Sequence, residues 1–125
     1  MEPLIYNATD STPKVILDKI MGLFEISGNS LPENVMAFYS PIIDWIKEYV
    51  KSPNLTTTFV FKLTYFNTAS SKTIFSILTI LETLVDKGYK VQIDWCYMEV
   101  DEDTLEAGKE YAGVVKLPFN FMKFV

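Results

Sequence analysis

Thr56-Thr57-Thr58-Phe59-Val60-Phe61-Lys62-Leu63-Thr64-Tyr65-Phe66 alternates, and the residues after it do not. Thr57, Phe59, Phe61, Leu63 and Tyr65 fall on one side of an extended chain, and Thr58, Val60, Lys62 and Thr64 on the other. This two-residue period predicts a strand with one buried face. After a polar break over Asn67 to Ser71 the period changes. Ile74, Ile77, Leu78, Leu81, Leu84 and Val85 recur at threes and fours, predicting a helix from about Ser71 to Lys87, with Gly88 as its stop. Lys90 to Met98 alternates again, Val91, Ile93, Trp95 and Tyr97 against Lys90, Gln92, Asp94 and Cys96. Strand, helix, strand is the unit from which parallel sheets are built.

The same reading extends outward in both directions. Leu4-Ile5-Tyr6 is a short strand candidate, and Asp10-Ser11-Thr12-Pro13 breaks the chain because the residue before proline is pushed out of the helical region. Lys14 to Asp18 and Leu23 to Ser27 form a predicted hairpin around Lys19-Ile20-Met21-Gly22. Ser30-Leu31-Pro32-Glu33 has the form of a capping box opening a helix. Val35, Phe38, Tyr39, Ile42, Ile43, Ile46, Tyr49 and Val50 supply its apolar stripe, Pro41 is expected to kink it, and Ser52-Pro53-Asn54 ends it. Downstream, Asp103-Thr104-Leu105-Glu106 offers a second capping box for a helix to about Val115. Pro118 closes that helix, and Phe119 to Val125 is a final strand.

From Leu23 onward the elements alternate strand and helix. The two long strands are apolar on one face and half-polar on the other, whereas strands covered on both faces read as continuous apolar runs. The expectation is a single two-layer α/β domain over residues 1–125, a mixed β-sheet with three main helices on one face. In parallel units the strand-to-helix turns emerge at the carboxyl edge of the sheet. Ser27 to Asn34, Phe66 to Ser71 and Glu99 to Asp103 should therefore line one polar rim.

Composition removes several classes of function. A chain of 125 residues with 49% hydrophobic content can bury a core without disulfides or metal. A net charge of −5 disfavours nucleic-acid binding. Histidine is absent, which removes the commonest general base and zinc ligand. The single cysteine, Cys96, reads as a strand residue. The sequence after Met1-Glu2-Pro3 carries neither a secretion signal nor an apolar run long enough to span a bilayer, so a cytoplasmic protein without membrane insertion is expected, and the sequons at Asn7 and Asn54 carry no weight. No base, nucleophile and cofactor motif converge; a non-enzymatic protein with no catalytic residues, no metal and no cofactor is predicted.

Two clusters on the rim remain. Thr68, Ser70 and Ser71, with Asn67 before them and Lys72 after, sit at the amino end of the second helix. One hydroxyl can cap that helix, or one can carry a phosphate, since free N–H groups and the helix dipole favour an anion there. Glu99, Asp101, Glu102, Asp103 and Glu106 read as solvated helix-start carboxylates and lack the glycine and ligand spacing of a calcium loop. Trp45, Tyr65, Phe66 and Trp95 read as packing residues.

Three stretches carry a resemblance: Ala8-Thr9-Asp10-Ser11-Thr12-Pro13, Ile26-Ser27-Gly28-Asn29-Ser30-Leu31-Pro32-Glu33-Asn34, and Tyr65-Phe66-Asn67-Thr68-Ala69-Ser70-Ser71-Lys72. In this order and spacing the chain resembles the SiaC family of bacterial regulatory phosphoproteins. The resemblance implies a fold like that of the anti-sigma-factor antagonists (STAS-like) and a phosphorylated threonine at Thr68. It also implies a protein kinase with a histidine-kinase-like ATPase fold, a metal-dependent PP2C-type phosphatase, and an unphosphorylated form that binds and activates a diguanylate cyclase, favouring biofilm. Asn29, Ser30, Asn34, Phe66 and Asn67 are the expected partner-binding residues on the rim. The other readings are a constitutive binding module and, third, a small enzyme using the rim carboxylates.

Overall fold

The computed structural model describes residues 1–125. Its nine elements run β1 (Leu4–Tyr6), β2 (Lys14–Asp18), β3 (Leu23–Ser30), α1 (Val35–Tyr49), β4 (Thr56–Phe66), α2 (Thr68–Asp86), β5 (Lys90–Met98), α3 (Glu102–Val114) and β6 (Phe119–Phe124). The six strands form one mixed sheet in chain order, β1-β2-β3-β4-β5-β6. β1, β2 and β3 pair antiparallel, and β3 to β6 pair parallel. Gly22, at φ 68, closes the β2–β3 hairpin in the left-handed region that side chains resist.

Parallel strands that advance in one direction through right-handed crossovers carry every connecting helix to the same face. Inward residues Val15, Leu17, Phe24, Ile26, Phe59, Phe61, Leu63, Val91, Ile93 and Trp95 are buried beneath Ile42, Ile46, Tyr49, Ile74, Ile77, Leu78 and Leu81 of the helices. The opposite face carries Glu25, Val60, Lys62 and Asp94, all with exposed or partial accessibility. The two-layer expectation holds.

The helix starts differ from those the sequence suggested, and for one reason each. β3 continues to Ser30, which pairs with Phe66 of β4, so Ser30 is a strand residue rather than a cap. Asn34 caps α1 instead, its Oδ1 accepting the Ala37 N–H at 3.0 Å. α2 begins at Thr68, about one turn earlier than expected, because Asn67 caps it and not one of the hydroxyls: its Oδ1 accepts the Ser70 N–H at 2.9 Å. α3 is capped by Asp101, two residues before the expected Asp103, with Oδ1 accepting from the Thr104 N–H at 3.0 Å and Oδ2 from the Thr104 hydroxyl at 2.7 Å. An amide or carboxylate two bonds from the backbone reaches the free N–H groups as well as a hydroxyl does. α1 runs unbroken through Pro41, which lies on its exposed side.

Alternation in β4 also fails at its last turn. Gly28 pairs with Leu63 but Asn29 pairs with Tyr65, leaving Thr64 as an extra residue in a β-bulge. The bulge reverses the faces beyond it. Tyr65, expected inside, is 54% exposed, and Phe66 turns toward the core edge-on to Trp95, ring centroids 6.1 Å apart.

Candidate functional site

The carboxyl ends of β3, β4 and β5 meet at one rim, as parallel topology requires. A fourth segment joins them. The β1–β2 loop lies against β3, with the Leu31 N–H donating to the Ser11 carbonyl at 2.8 Å and the Asn29 amide to the Asp10 carbonyl at 3.4 Å. Gly28, at φ 106, has Pro13 3.9 Å from where its Cβ would stand. Sequence reasoning took Asp10 to Pro13 as a chain break and as part of the stretch carrying the family resemblance, without placing it on the rim; the two hydroxyls flanking Asp10-Ser11, which bond to each other at 2.6 Å to fold the turn, were the available signal.

At the rim's centre a cleft of about 360 Å³ opens between the start of α2 and the start of α3. Thr68 and Ser71 form one side, Asp101 and Asp103 the other, with Tyr65 and Phe66 from the end of β4 between them. Thr68 is exposed at the first position of α2, where its own N–H and that of Ala69 have no partner within the helix. Lys72, one turn on, is also exposed.

The other two hydroxyls of this segment already have hydrogen-bond partners within the protein. Ser70 is fully buried; its hydroxyl donates to the Ser30 carbonyl at 2.9 Å and accepts from the Ser30 hydroxyl at 2.9 Å. With the Ser30 proton so placed, the Tyr39 hydroxyl donates to Ser30 Oγ at 2.5 Å. The result is a directed chain from α1 through β3 to α2, with each bond polarising the next. Ser71 is half-buried and bonds Tyr111 of α3, which in turn donates to the Ser71 carbonyl at 2.8 Å. Burial pushes the Tyr39 and Tyr111 phenols above their ordinary value of 10.0, against smaller downward pulls from Ser30 and Ser71. A phenol inside α1's apolar stripe was the sign that Tyr39 needed a buried partner.

Of the rim residues expected to contact partners, Asn34 is exposed, and Asn29, Phe66 and Asn67 are half-buried. Ser30 has no accessible surface. Its expected contact with a partner is corrected by its place beneath the rim, where its hydroxyl holds the two helices together. Thr68 is thus the most exposed hydroxyl of the three, Ser70 being buried and Ser71 half-buried against Tyr111.

The SiaC family model matches residues 6–124 of the chain. The chain belongs to the SiaC family of regulatory phosphoproteins. An uncharacterized protein of Pseudomonas aeruginosa UCBPP-PA14 is 29% identical over 119 residues, 95% of this chain and 94% of that one. The crystal structure of apo-SiaC from P. aeruginosa is 28% identical and superposes with a TM-score of 0.87, covering 98% of this chain and 99% of its own. SiaC in a crystal structure with the diguanylate cyclase SiaD, of which it is the activator, is 28% identical with a TM-score of 0.90, covering 97% and 99%. This SiaC-family protein is accordingly a regulator and not an enzyme. No helix in it is long and apolar enough to cross a membrane.

Proposed function

We propose that this SiaC-family protein is a cytoplasmic switch in which phosphorylation of Thr68 controls binding to an output protein, a diguanylate cyclase in its host. A protein kinase with a histidine-kinase-like ATPase fold adds the phosphate, and a PP2C-type phosphatase removes it. The unphosphorylated form binds and activates the cyclase, raising cyclic di-GMP. The observation that carries this reading is the exposure of Thr68 at a helix start where Ser70 is buried and the half-buried Ser71 is hydrogen-bonded to Tyr111. The P. aeruginosa SiaC–SiaD complex supports the choice of partner.

The mechanism follows from charge. An unmodified threonine can be covered by a partner at little desolvation cost. Phosphate adds about −1.5 to −2 charges and three strong acceptors. Covering that dianion without new donors costs on the order of several kcal/mol, and each 1.4 kcal/mol weakens binding about tenfold. Lys72 can pair with the phosphate in the free protein, which stabilises the unbound form further. Titration of Thr68→Ala and Thr68→Asp against the host's diguanylate cyclase tests the proposal. Thr68→Ala should bind and activate the cyclase whatever the kinase does, and Thr68→Asp should bind at least tenfold more weakly. Equal binding by both would return Thr68 to the role of an ordinary helix-start residue and leave a constitutive binding module.

A further inference from the structure

β6 is the last strand of the sheet and has a neighbour on one side only. It pairs with β5 from Phe119 to Phe124 without a bulge. The Ile93 N–H donates to the Pro118 carbonyl at 2.9 Å and the Glu99 N–H to the Phe124 carbonyl at 3.1 Å, so the even-numbered residues of β6 turn their backbone groups toward β5. Successive residues of a strand alternate sides. The N–H and C=O groups of Phe119, Phe121 and Lys123 therefore point away from the sheet and find no partner within the chain. α3 sits chiefly over β5, one strand in from this edge. Edge strands are usually cut short, bulged, broken by proline or covered. β6 has none of these devices and a single lysine, whereas β1 at the opposite edge is only three residues long.

We propose that β6 pairs antiparallel with β6 of a second copy of this chain, continuing the sheet across a two-fold axis at Phe121. An antiparallel ladder sets outward-pointing groups against outward-pointing groups. Only one register matches all three outward residues of one copy with all three of the other: Phe119 opposite Lys123, Phe121 opposite Phe121, and Lys123 opposite Phe119. Each of these pairs exchanges two bonds, so every free donor and acceptor on both edges is used. The same register is complementary in charge. It lays the Lys123 ammonium beside the Phe119 ring of the second copy, a contact of the kind Lys62 already makes with Phe124 at 4.6 Å, and it keeps the two lysines apart. Centring the axis on Lys123 instead would set like charges opposite each other. Six residues are about 20 Å of strand, and one such edge falls short of the roughly 1,600 Å² of a standard interface, so the dimer is weak and depends on concentration. The strands run in opposite directions across the axis. The two rims therefore point to opposite ends of the dimer, and each stays open to its own partner.

Sedimentation equilibrium of the whole chain from about 20 µM to about 1 mM tests the pairing. The average mass should climb from 14.3 kDa toward twice that value. Over the same range, amide hydrogen exchange read by NMR should slow at Phe119, Phe121 and Lys123 in proportion to the monomer lost, about tenfold where about nine-tenths is dimer. The amides of Asn120, Met122 and Phe124, already turned toward β5, should change little. Lys123→Pro removes one outward N–H and leaves the β5 ladder intact, as proline on an edge strand does. It should weaken dimerisation at least tenfold. Thr68→Asp, at the end of β4 and two strands away, should dimerise like the parent, which separates this result from the reading of Thr68. A mass that stays at 14.3 kDa at the highest concentration overturns the proposal and leaves the edge to an extended segment of another protein. A dimer whose three outward amides exchange as fast as in the monomer overturns it as well, because its interface then lies elsewhere.

Discussion

Gly108 lies where α3 crosses Trp95, and replacing it with alanine sets two well-measured effects against each other. A Cβ at position 108 would stand 2.5 Å from Cδ1 and Nε1 of the indole and 2.8 Å from Cγ. Carbon atoms in contact prefer about 3.5–4.0 Å, so α3 and the indole must separate by roughly 1 Å. Trp95 cannot retreat: it is 1% exposed and packed by Phe61, Phe66, Tyr111 and Phe119, with ring centroids 5.5–6.3 Å away. Moving α3 instead stretches the indole bond to the Thr104 carbonyl and shifts the corner that holds Asp101. Helix propensity favours alanine by about 1 kcal/mol. Overpacking opposes it by about 1–3 kcal/mol, and a strained buried hydrogen bond adds about 1 kcal/mol. The expected net is a loss of about 1–3 kcal/mol, read as a urea midpoint about 1 M lower, for an m-value of 1–3 kcal/mol/M. Gly113, in the same helix, has nothing within 4 Å of its Cβ position, so Gly113→Ala should raise the midpoint slightly. Gly108→Ala as stable as the parent, or both variants moving together, would refute the claim that close helix-to-indole approach fixes this corner.

Alkaline pH should weaken the fold through its buried phenols. The folded-state values of Tyr39 and Tyr111 lie above 10.0, so their contribution is full below pH 10 and is lost as pH rises through the folded values; Tyr39→Phe should lower the urea midpoint at pH 8 by about 1 kcal/mol equivalent and flatten its fall toward pH 11. Asn67→Ala should cost about 1 kcal/mol by uncapping α2, lowering the melting temperature by about 3–6 °C, whereas Asn67→Asp, which keeps the acceptor, should cost little.

Strand periods were legible because each is decided by residues two apart. Phe59, Phe61 and Leu63 point inward as their alternation requires, and the helical stripe from Ile74 to Leu84 is buried throughout. The family resemblance and its placement of Thr68 at a helix start were legible too. Cap identities were not, because Asn67, Thr68, Ser70 and Ser71 are all competent caps locally, and the choice is made by distant atoms. Ser70 is withdrawn by Ser30, forty residues earlier, and Ser71 by Tyr111, forty residues later. The bulge at Thr64 was illegible for the same reason. It is set by the irregular step between Gly28 and Asn29 on the neighbouring strand, and nothing within β4 announces it. Ser30 illustrates the general failure, since a hydroxyl before proline and glutamate satisfies a capping pattern whether or not the strand before it has ended.

The sheet's strand order repeats the order of the chain, and this bears on how the protein is made. Each new strand pairs only with the one before it, so a chain leaving the ribosome amino end first never has to hold a strand in reserve for a partner still to be synthesised. The β1–β2–β3 meander can form first, and each helix and its following strand can then be added to a growing edge. Each parallel closure spans one crossover and no more, as Phe24 with Phe59 and Thr56 with Lys90, and its entropic cost grows only slowly with length. Doubly wound sheets must reverse direction and return to their first strand. This one can be laid down in a single sweep, in which α3, the last helix to emerge, completes the cleft beside Thr68.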